Sequence, residues 1–164
     1  MNETTETTVR AATAADAADL GRLGALLVGV HHDFDTDRFI APGPRTEAGY
    51  GSFLTAQLGR EDAIVLVAEQ RGGVVGYAFA GIEGDDWMTL RGPAGVIYDL
   101  IVDPGARRGG IGRRLLEHTL QALRDRGAPR VLLSAAHKNE RAQRLFASIG
   151  FRPTMVEMTR EWPD

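Results

Sequence analysis

The chain has no cysteine among its 164 residues, which excludes a disulfide framework, thiolate-ligated metal sites and a cysteine nucleophile. No apolar run reaches membrane-spanning length, and Met1-Asn2-Glu3-Thr4-Thr5-Glu6 lacks the basic and apolar regions of a signal peptide. Charge of one sign is scarce too. The formal net charge is −3, so a basic surface for general nucleic-acid binding is not expected. There is no internal repeat, low-complexity segment or domain linker. What remains is a soluble cytoplasmic protein, with residues 1–6 as a disordered tail and residues 7–164 as a single domain large enough for a real core.

The most informative stretch is Arg107-Arg108-Gly109-Gly110-Ile111-Gly112. Before it, the mostly apolar Gly95–Val102 reads as a buried strand stopped by Asp103-Pro104. After it, Ile111, Leu115, Leu116, Leu120 and Leu123 share one side of a helical wheel, with Arg113, Arg114, Glu117, Gln121 and Arg124 opposite. A glycine-rich turn opening a helix presents unpaired backbone N–H groups and the positive end of the helix dipole, an arrangement that binds phosphate. A Cβ there would hold a pyrophosphate away from the main chain.

Spacing narrows the ligand. A P-loop requires lysine and a hydroxyl residue after its last glycine, and neither follows here. A dinucleotide fingerprint requires a third glycine where Leu115 stands. The pattern left is Arg107-x-x-Gly110-x-Gly112 at a strand–helix junction.

A second segment follows the short apolar strand expected over Val131–Ala136. Asn139 suits a helix N-cap, Glu140 its first turn, and Ala142, Leu145, Phe146 and Ile149 make one apolar face that ends at Gly150-Phe151. Together, Arg107-x-x-Gly110-x-Gly112 and Asn139-x-x-Ala142-x-x-Leu145-Phe146-x-x-x-Gly150-Phe151 closely resemble the two signature segments of the GNAT superfamily of N-acetyltransferases. The close resemblance covers roughly residues 94–152; before it, only the pattern of elements matches.

The other elements are read coarsely. Strands are expected at Thr7–Ala12, Ile64–Glu69 and Val74–Ala80, the last two joined as a hairpin by Arg71-Gly72-Gly73. Helices are expected at Asp16–Val30, with Thr13 or Asp16 near its start, and at Glu47–Leu58. Residues 31–46 and Gly84–Trp87 read as loops, and Met155–Arg160 as a final strand. The order β-α-α-β-β-β-α-β-α-β is that of the resembled family. It implies an α/β (α+β) fold: a mixed, mostly antiparallel sheet of about six to seven strands, about four flanking helices and a splayed central strand. Family members often carry two strands after the last helix, and this chain has room for one. The acceptor pocket is therefore either more open or completed by a second subunit in a homodimer.

The resemblance implies acetyl-coenzyme A as acetyl donor and no metal. Main-chain groups of Leu100, Ile101 and Val102 take the pantetheine and thioester. Arg107, Arg108, Gly109, Gly110, Ile111, Gly112 and Arg113 take the pyrophosphate, although Arg113 and Arg114 also fit a solvated helix face. Asn139 caps its helix and contacts the cofactor.

An amine attacking a thioester needs a neutral amine, a polarised carbonyl and a proton for the leaving thiolate. Asp99 is the carboxylate inside the central strand and a candidate general base, its pKa raised by burial; the alternative is a structural hydrogen bond. Tyr98 stands where some family members carry Glu and, with Glu83 and Asp86, is a candidate for a water relay. Phe146 replaces the tyrosine that often protonates the thiolate, so it reads as packing against the cofactor or the core, with solvent, Tyr98 or Tyr77 as substitute donors.

His31-His32 with Asp33 does not make a metal site, since adjacent side chains point apart. The His31–Asp37 segment either lines an acceptor pocket that attracts a cationic amine or forms an exposed acidic loop. Trp87 either borders that pocket or covers the sheet edge, and His137 either contacts the cofactor or, the favoured reading, occupies a strand end. The expectation is an N-acetyltransferase attacking acetyl-coenzyme A directly with a primary amine: a polyamine-, aminoglycoside- or amino-acid-like molecule, or a protein amine. The alternative is a non-catalytic acyl-CoA-binding sensor of the same fold. Nucleic acid and membrane are not expected partners; four arginines at residues 107–114 on a negative background are a poor footprint for the former.

Overall fold

A computed structural model describes residues 6–163, apart from the side chain of Arg108. Of the tail expected at residues 1–6, residues 1–5 lie outside the described residues. The strands are β1 (Thr7–Ala11), β2 (Ala63–Gln70), β3 (Gly73–Glu83), β4 (Ala94–Val102) and β5 (Val131–Leu133). The helices are α1 (Ala17–Phe34), α2 (Thr46–Ala56), α3 (Ile111–Asp125) and α4 (Glu140–Ser148). The sheet runs β1-β2-β3-β4-β5, antiparallel except for the parallel pair β4–β5. The mixed sheet flanked by four helices is as expected; the strand number, five among the described residues, is below the six to seven implied.

The hairpin between β2 and β3 turns on Arg71 and Gly72, both at positive φ (50° and 75°), the combination that matches the twist of a two-residue hairpin. β2 and β3 then alternate their side chains between two layers. Val65, Val67, Tyr77 and Phe79 join Leu20, Leu23, Leu27 and Leu54 of α1 and α2. Ile64 and Ala80 meet Leu116 and Leu123 of α3 on the other face. Each fully buried leucine there contributes about 1.5–3 kcal/mol.

α1 begins where the buried Asp16 carboxylate accepts from the Thr13 amide (2.7 Å) and the Arg10 guanidinium (2.8 Å). It runs one turn past the expected end at Val30, to Phe34, with His31 and His32 in the last turn near the negative end of the dipole. α1 and α2 pack almost backbone to backbone. A Cβ on Gly21 would stand 2.4 Å from the Glu47 carbonyl oxygen, and one on Gly51 2.7 Å from that of Ala17.

Two expectations fail at the far edge. β5 ends at Leu133 rather than Ala136, because the chain leaves β4 and exposes Ser134 and Ala135. The final strand over Met155–Arg160 does not form. Residues 152–163 have no ladder partner, and each of them is exposed. Their alternating pattern suits a strand, but they do not reach an edge of their own sheet. Among the described residues no helix is long and apolar enough to cross a membrane.

Candidate active site

β4 breaks its pairing on both sides, and the site lies at the breaks. Toward β3, Phe79 faces Asp99 while Ala80 faces Ile97, so Tyr98 is the extra residue of a β-bulge. The bulge lets consecutive residues, Tyr98 and Asp99, line one cleft. Toward β5, pairing covers only Gly95–Ile97 against Val131–Leu133. Beyond Ile97 the two strands part, and residues 98–102 have no ladder partner on that side. This is the expected splay of the central strand.

Leu100 and Val102 pack toward α3 and Ile101 toward α1, so their side chains are core and only main-chain groups face the gap. The Val102 carbonyl accepts a 3.1 Å hydrogen bond from Arg107 Nε, which turns that guanidinium back onto its own strand. After Asp103, held to Arg22 at 2.7 Å, residues Pro104–Gly109 form a tight 3-10 turn. Gly110 then adopts φ 69° and caps α3, a conformation that favours glycine, and nothing lies within 4 Å of where its Cβ would be. Among the described residues, no side chain caps the first amides of α3, at Ile111, Gly112 and Arg113. Uncapped amides beside open space fit a phosphate-bearing ligand.

The remaining expected cofactor residues are less uniform. Ile111 is fully buried, so its part is limited to the backbone. Arg113 donates to Ser148 Oγ at 2.7 Å and reaches Glu117 at 3.4 Å, tying α3 to α4 on the exposed face. Gly109 and Gly112 have ordinary van der Waals room for a Cβ. Asn139 Oδ1 accepts from the Ala142 amide at 3.1 Å, an N-cap as expected. Phe146 is partly buried beside Phe151, edge to face with centroids 6.0 Å apart.

The cleft has two arms that meet at Tyr50, Tyr98 and Asp99. The larger, about 450 Å³, is walled by Phe53, Phe79, Arg60, Asp62 and Glu83. The smaller, about 220 Å³, is walled by Leu27, Val28, His31, Phe39 and Ile40. At the junction, Asp99 Oδ2 accepts from the Tyr77 hydroxyl at 2.9 Å and the Tyr50 hydroxyl at 3.3 Å. Burial pushes the Asp99 pKa up, and the two tyrosine hydrogen bonds offset part of that rise. Burial, reinforced by the Asp99 charge, pushes both tyrosines well above their ordinary value, so they remain donors. Tyr98 Oη donates to Glu83 Oε1 at 2.5 Å, and Glu83 is also paired with Arg91.

Several expectations are displaced. Asp86 accepts from the amides of Met88 and Thr89 and from the Thr89 hydroxyl, so it builds its turn and lines neither arm. Trp87 is exposed outside both arms. Of the His31–Asp37 segment only His31 reaches the cleft; Asp35 Oδ1 accepts from the Asp37 and Arg38 amides. The carboxylates that line the cleft are instead Asp62, Glu83 and Asp99, of which Asp62 is ion-paired with Arg60 and Glu83 with Arg91. His137 is exposed, its carbonyl accepting from Gln143. Tyr50 and the aromatic wall of Phe53 and Phe79 were not foreseen. The one sequence signal for Tyr50 is Gly21-x-x-Gly24 with Gly51, a small-residue contact that brings α2 against α1.

The model of the Acetyltransferase (GNAT) family matches residues 29–151. The chain belongs to that family. A mycothiol acetyltransferase from Thermomonospora curvata is 34% identical over 103 residues, 63% of this chain and 32% of that protein. Another from Beutenbergia cavernae is 44% identical over 71 residues, 43% of this chain and 24% of that protein. The chain thus spans about a third or less of the length of these relatives. Among solved structures, a single-residue mutant of the BH1408 protein from Bacillus halodurans superimposes with TM-score 0.76 at 25% identity, covering 95% of this chain and 98% of that one. Aminoglycoside N-acetyltransferase AAC(6')-Iy in complex with CoA gives TM-score 0.76 at 15% identity, covering 99% and 98%, and shares the fold.

Proposed function

We propose that the chain transfers an acetyl group from acetyl-coenzyme A to a primary amine that attacks the thioester directly. The observation that carries this reading is the doubly interrupted β4: splayed from β5 toward the glycine turn, and bulged toward β3 where Asp99 meets the cleft. The uncapped amides at Ile111–Arg113, preceded by Gly110, hold the pyrophosphate, with Arg107 beside them. Main-chain groups of residues 98–102 not engaged by β3 hold the pantetheine arm. Bound acetyl-coenzyme A supplies an acetyl group activated as a thioester.

Asp99 takes the proton that the acceptor ammonium must lose before its nitrogen can attack. Its raised pKa brings proton affinity closer to neutrality, and Tyr77 and Tyr50 hold Oδ2 in place. The Tyr98 hydroxyl is engaged by Glu83, and Phe146 has no proton to give, so solvent protonates the departing thiolate.

The acceptor is a primary amine with a cationic head and an apolar or ring-shaped body. Asp99 attracts the head beside the ion-paired Asp62 and Glu83, and Tyr50, Phe53, Phe79 and Tyr98 offer faces for stacking and cation–π contact. The test is thiol release from acetyl-coenzyme A across a panel of polyamines, amino sugars, amino acids and mycothiol-type amines, the last suggested by the relatives' names. Acceptor-dependent release supports the enzyme. Phe146 favours one rival, a non-catalytic acyl-CoA sensor, which would bind acetyl-coenzyme A and release no thiol with any amine.

A further inference from the structure

We propose that His31 carries the proton taken up by Asp99 out of the cleft, an inference that rests on the acetyl-transfer reading. The need for an exit follows from the reaction. The acceptor nitrogen starts as an ammonium and ends as an amide, so it gives up two protons, while the departing sulfur takes up one. One proton per turnover must reach bulk water, and a carboxylic acid left at Asp99 would block the next acceptor.

The smaller arm of the cleft offers one group for the task. Leu27, Val28, Phe39 and Ile40 are apolar, and the titratable groups that face the arm are His31 of α1, Tyr50 of α2, and Tyr98 and Asp99 of β4. Tyr50 donates to Asp99 and Tyr98 to Glu83, so both hydroxyl protons are committed. His31 differs. Its Nδ1 lies 2.9 Å from the Leu27 carbonyl oxygen, one helical turn back. A carbonyl only accepts, so Nδ1 carries the hydrogen and the lone pair of the neutral ring is at Nε2. Among the described residues no hydrogen bond engages Nε2. The Nδ1–H bond serves the neutral ring and the imidazolium alike, so the ring gains and loses a proton without turning. Phe34 and Phe39 hold it edge-on, with centroids 6.2 and 5.2 Å away. The ring is half-buried, and a positive charge on it is felt at Asp99, whose carboxyl pKa it lowers. In the transfer the Asp99 O–H bond breaks as the Nε2–H bond forms, leaving carboxylate and imidazolium, and the imidazolium releases the same proton to water. His32 supplies a matched control. Its Nδ1 makes the same kind of bond, 2.9 Å to the Phe39 carbonyl oxygen, yet it lines neither arm.

Thiol release in dilute buffer, with the fastest amine of the acceptor panel and with or without added imidazole, tests the assignment. His31→Ala should lower kcat about tenfold to a hundredfold while KM for acetyl-coenzyme A holds, and imidazole should restore most of the rate. His32→Ala should lose little and gain nothing from imidazole. His31→Gln, whose amide can donate to Leu27 but takes up no proton, should be as slow, and replaces the alanine variant if that one fails to fold. A folded His31 variant with the wild-type rate overturns the proposal. So does a slow His31→Ala that is indifferent to imidazole, since the ring would then only pack. Nitrogen-15 NMR of wild type needs no turnover: a neutral His31 protonated at Nε2 rather than Nδ1 overturns the proposal too. A wild type that releases no thiol with any amine removes the acetyl-transfer reading and this proposal together, whereas the other adverse outcomes remove the proposal alone.

Discussion

Tyr77 and Asp99 meet diagonally across β3 and β4: Tyr77 is the register partner of Ile101, yet its hydroxyl donates to Asp99 Oδ2 at 2.9 Å. Diagonal neighbours on one face of an antiparallel pair lie within reach of a long aromatic side chain. Tyr77 is fully buried, so the only carboxylate of the central strand is steadied from inside the core, where its position does not depend on solvent. The Tyr50 hydroxyl reaches the same oxygen from α2, at 3.3 Å. The proposed base thus joins the sheet to the helical layer, and substitutions on either side should be felt in the chemistry.

Replacing Asp99 itself gives opposite signs for rate and stability. Asp99→Asn should lower kcat about 10²–10⁴-fold while acetyl-coenzyme A affinity holds. Burial raises the Asp99 pKa in the folded protein, so the folded state favours the protonated form. Its contribution to stability is complete below the ordinary aspartate value and is lost as pH rises through the folded value. Asp99→Asn should therefore melt above wild type in neutral and alkaline buffer, with the gap closing in acid. Paired melting curves across pH check this; a variant that melts lower in neutral buffer would show that the carboxylate is a net structural support.

The two tyrosines should be separable by their effect on the acid limb of the pH–rate profile. Both hydrogen bonds lower the Asp99 pKa, with Tyr77 the larger contributor. Tyr77→Phe should move the limb to higher pH, and Tyr50→Phe should move it the same way by less. Equal limbs in wild type and Tyr77→Phe would place the titrating base elsewhere.

Gly24 offers a remote test of the same link. A Cβ there would stand 2.2 Å from Cδ1 of Tyr50, so Gly24→Ala must push that ring off α1. We expect a loss of stability of about 1–3 kcal/mol from overpacking. We also expect a pH–rate profile close to that of Tyr50→Phe. Chemical denaturation and the profile are read on one preparation. Loss of stability with an unmoved limb would uncouple Tyr50 from the base.

At the other end of α1, Asp16 is a structural carboxylate. The Arg10 guanidinium, helped by the Thr13 amide, holds its pKa down at about 2, against an ordinary 3.8. A depressed pKa stabilises the fold above the ordinary value, and that contribution is lost as pH falls toward the folded value. With Arg10 partly solvated, it is on the order of 1–2 kcal/mol. Asp16→Asn should cost this much at neutral pH and nothing in strong acid, as read from urea titrations at both ends. A cost that persists unchanged in acid would assign it to packing.

Much of this was legible in the sequence because local patterns carry it. The apolar faces of α3 and α4, the hairpin at Arg71-Gly72 and the glycine turn at Gly110 depend on neighbours within a few residues. The bulge at Tyr98 was not legible: an inserted residue shows only when β4 is set against β3, and one extra residue leaves the apolar run unbroken. Tyr50 was hidden for a related reason, since its place follows from the close approach of Gly21 and Gly24 to α2. Of the two readings of the acidic run at residues 33–37, the loop outside the cleft holds, with Asp35 occupied by backbone amides, because composition alone does not say where a loop sits. The segment at Met155–Arg160 has the pattern of a strand without the edge to hold it, a matter of geometry rather than composition.

The proposed acetyl-coenzyme A site joins the turn at Gly110 to the splay of β4 beyond Ile97. Calorimetric titration of wild type and Gly110→Asp with acetyl-coenzyme A, with ATP as comparator, tests it most directly. Wild type should bind acetyl-coenzyme A saturably and ignore ATP. Gly110→Asp, folded by circular dichroism, should lose most of that affinity, because bulk and negative charge then occupy the pyrophosphate cradle. Equal binding by the two proteins, or none by a folded wild type, would take the pyrophosphate away from Gly110.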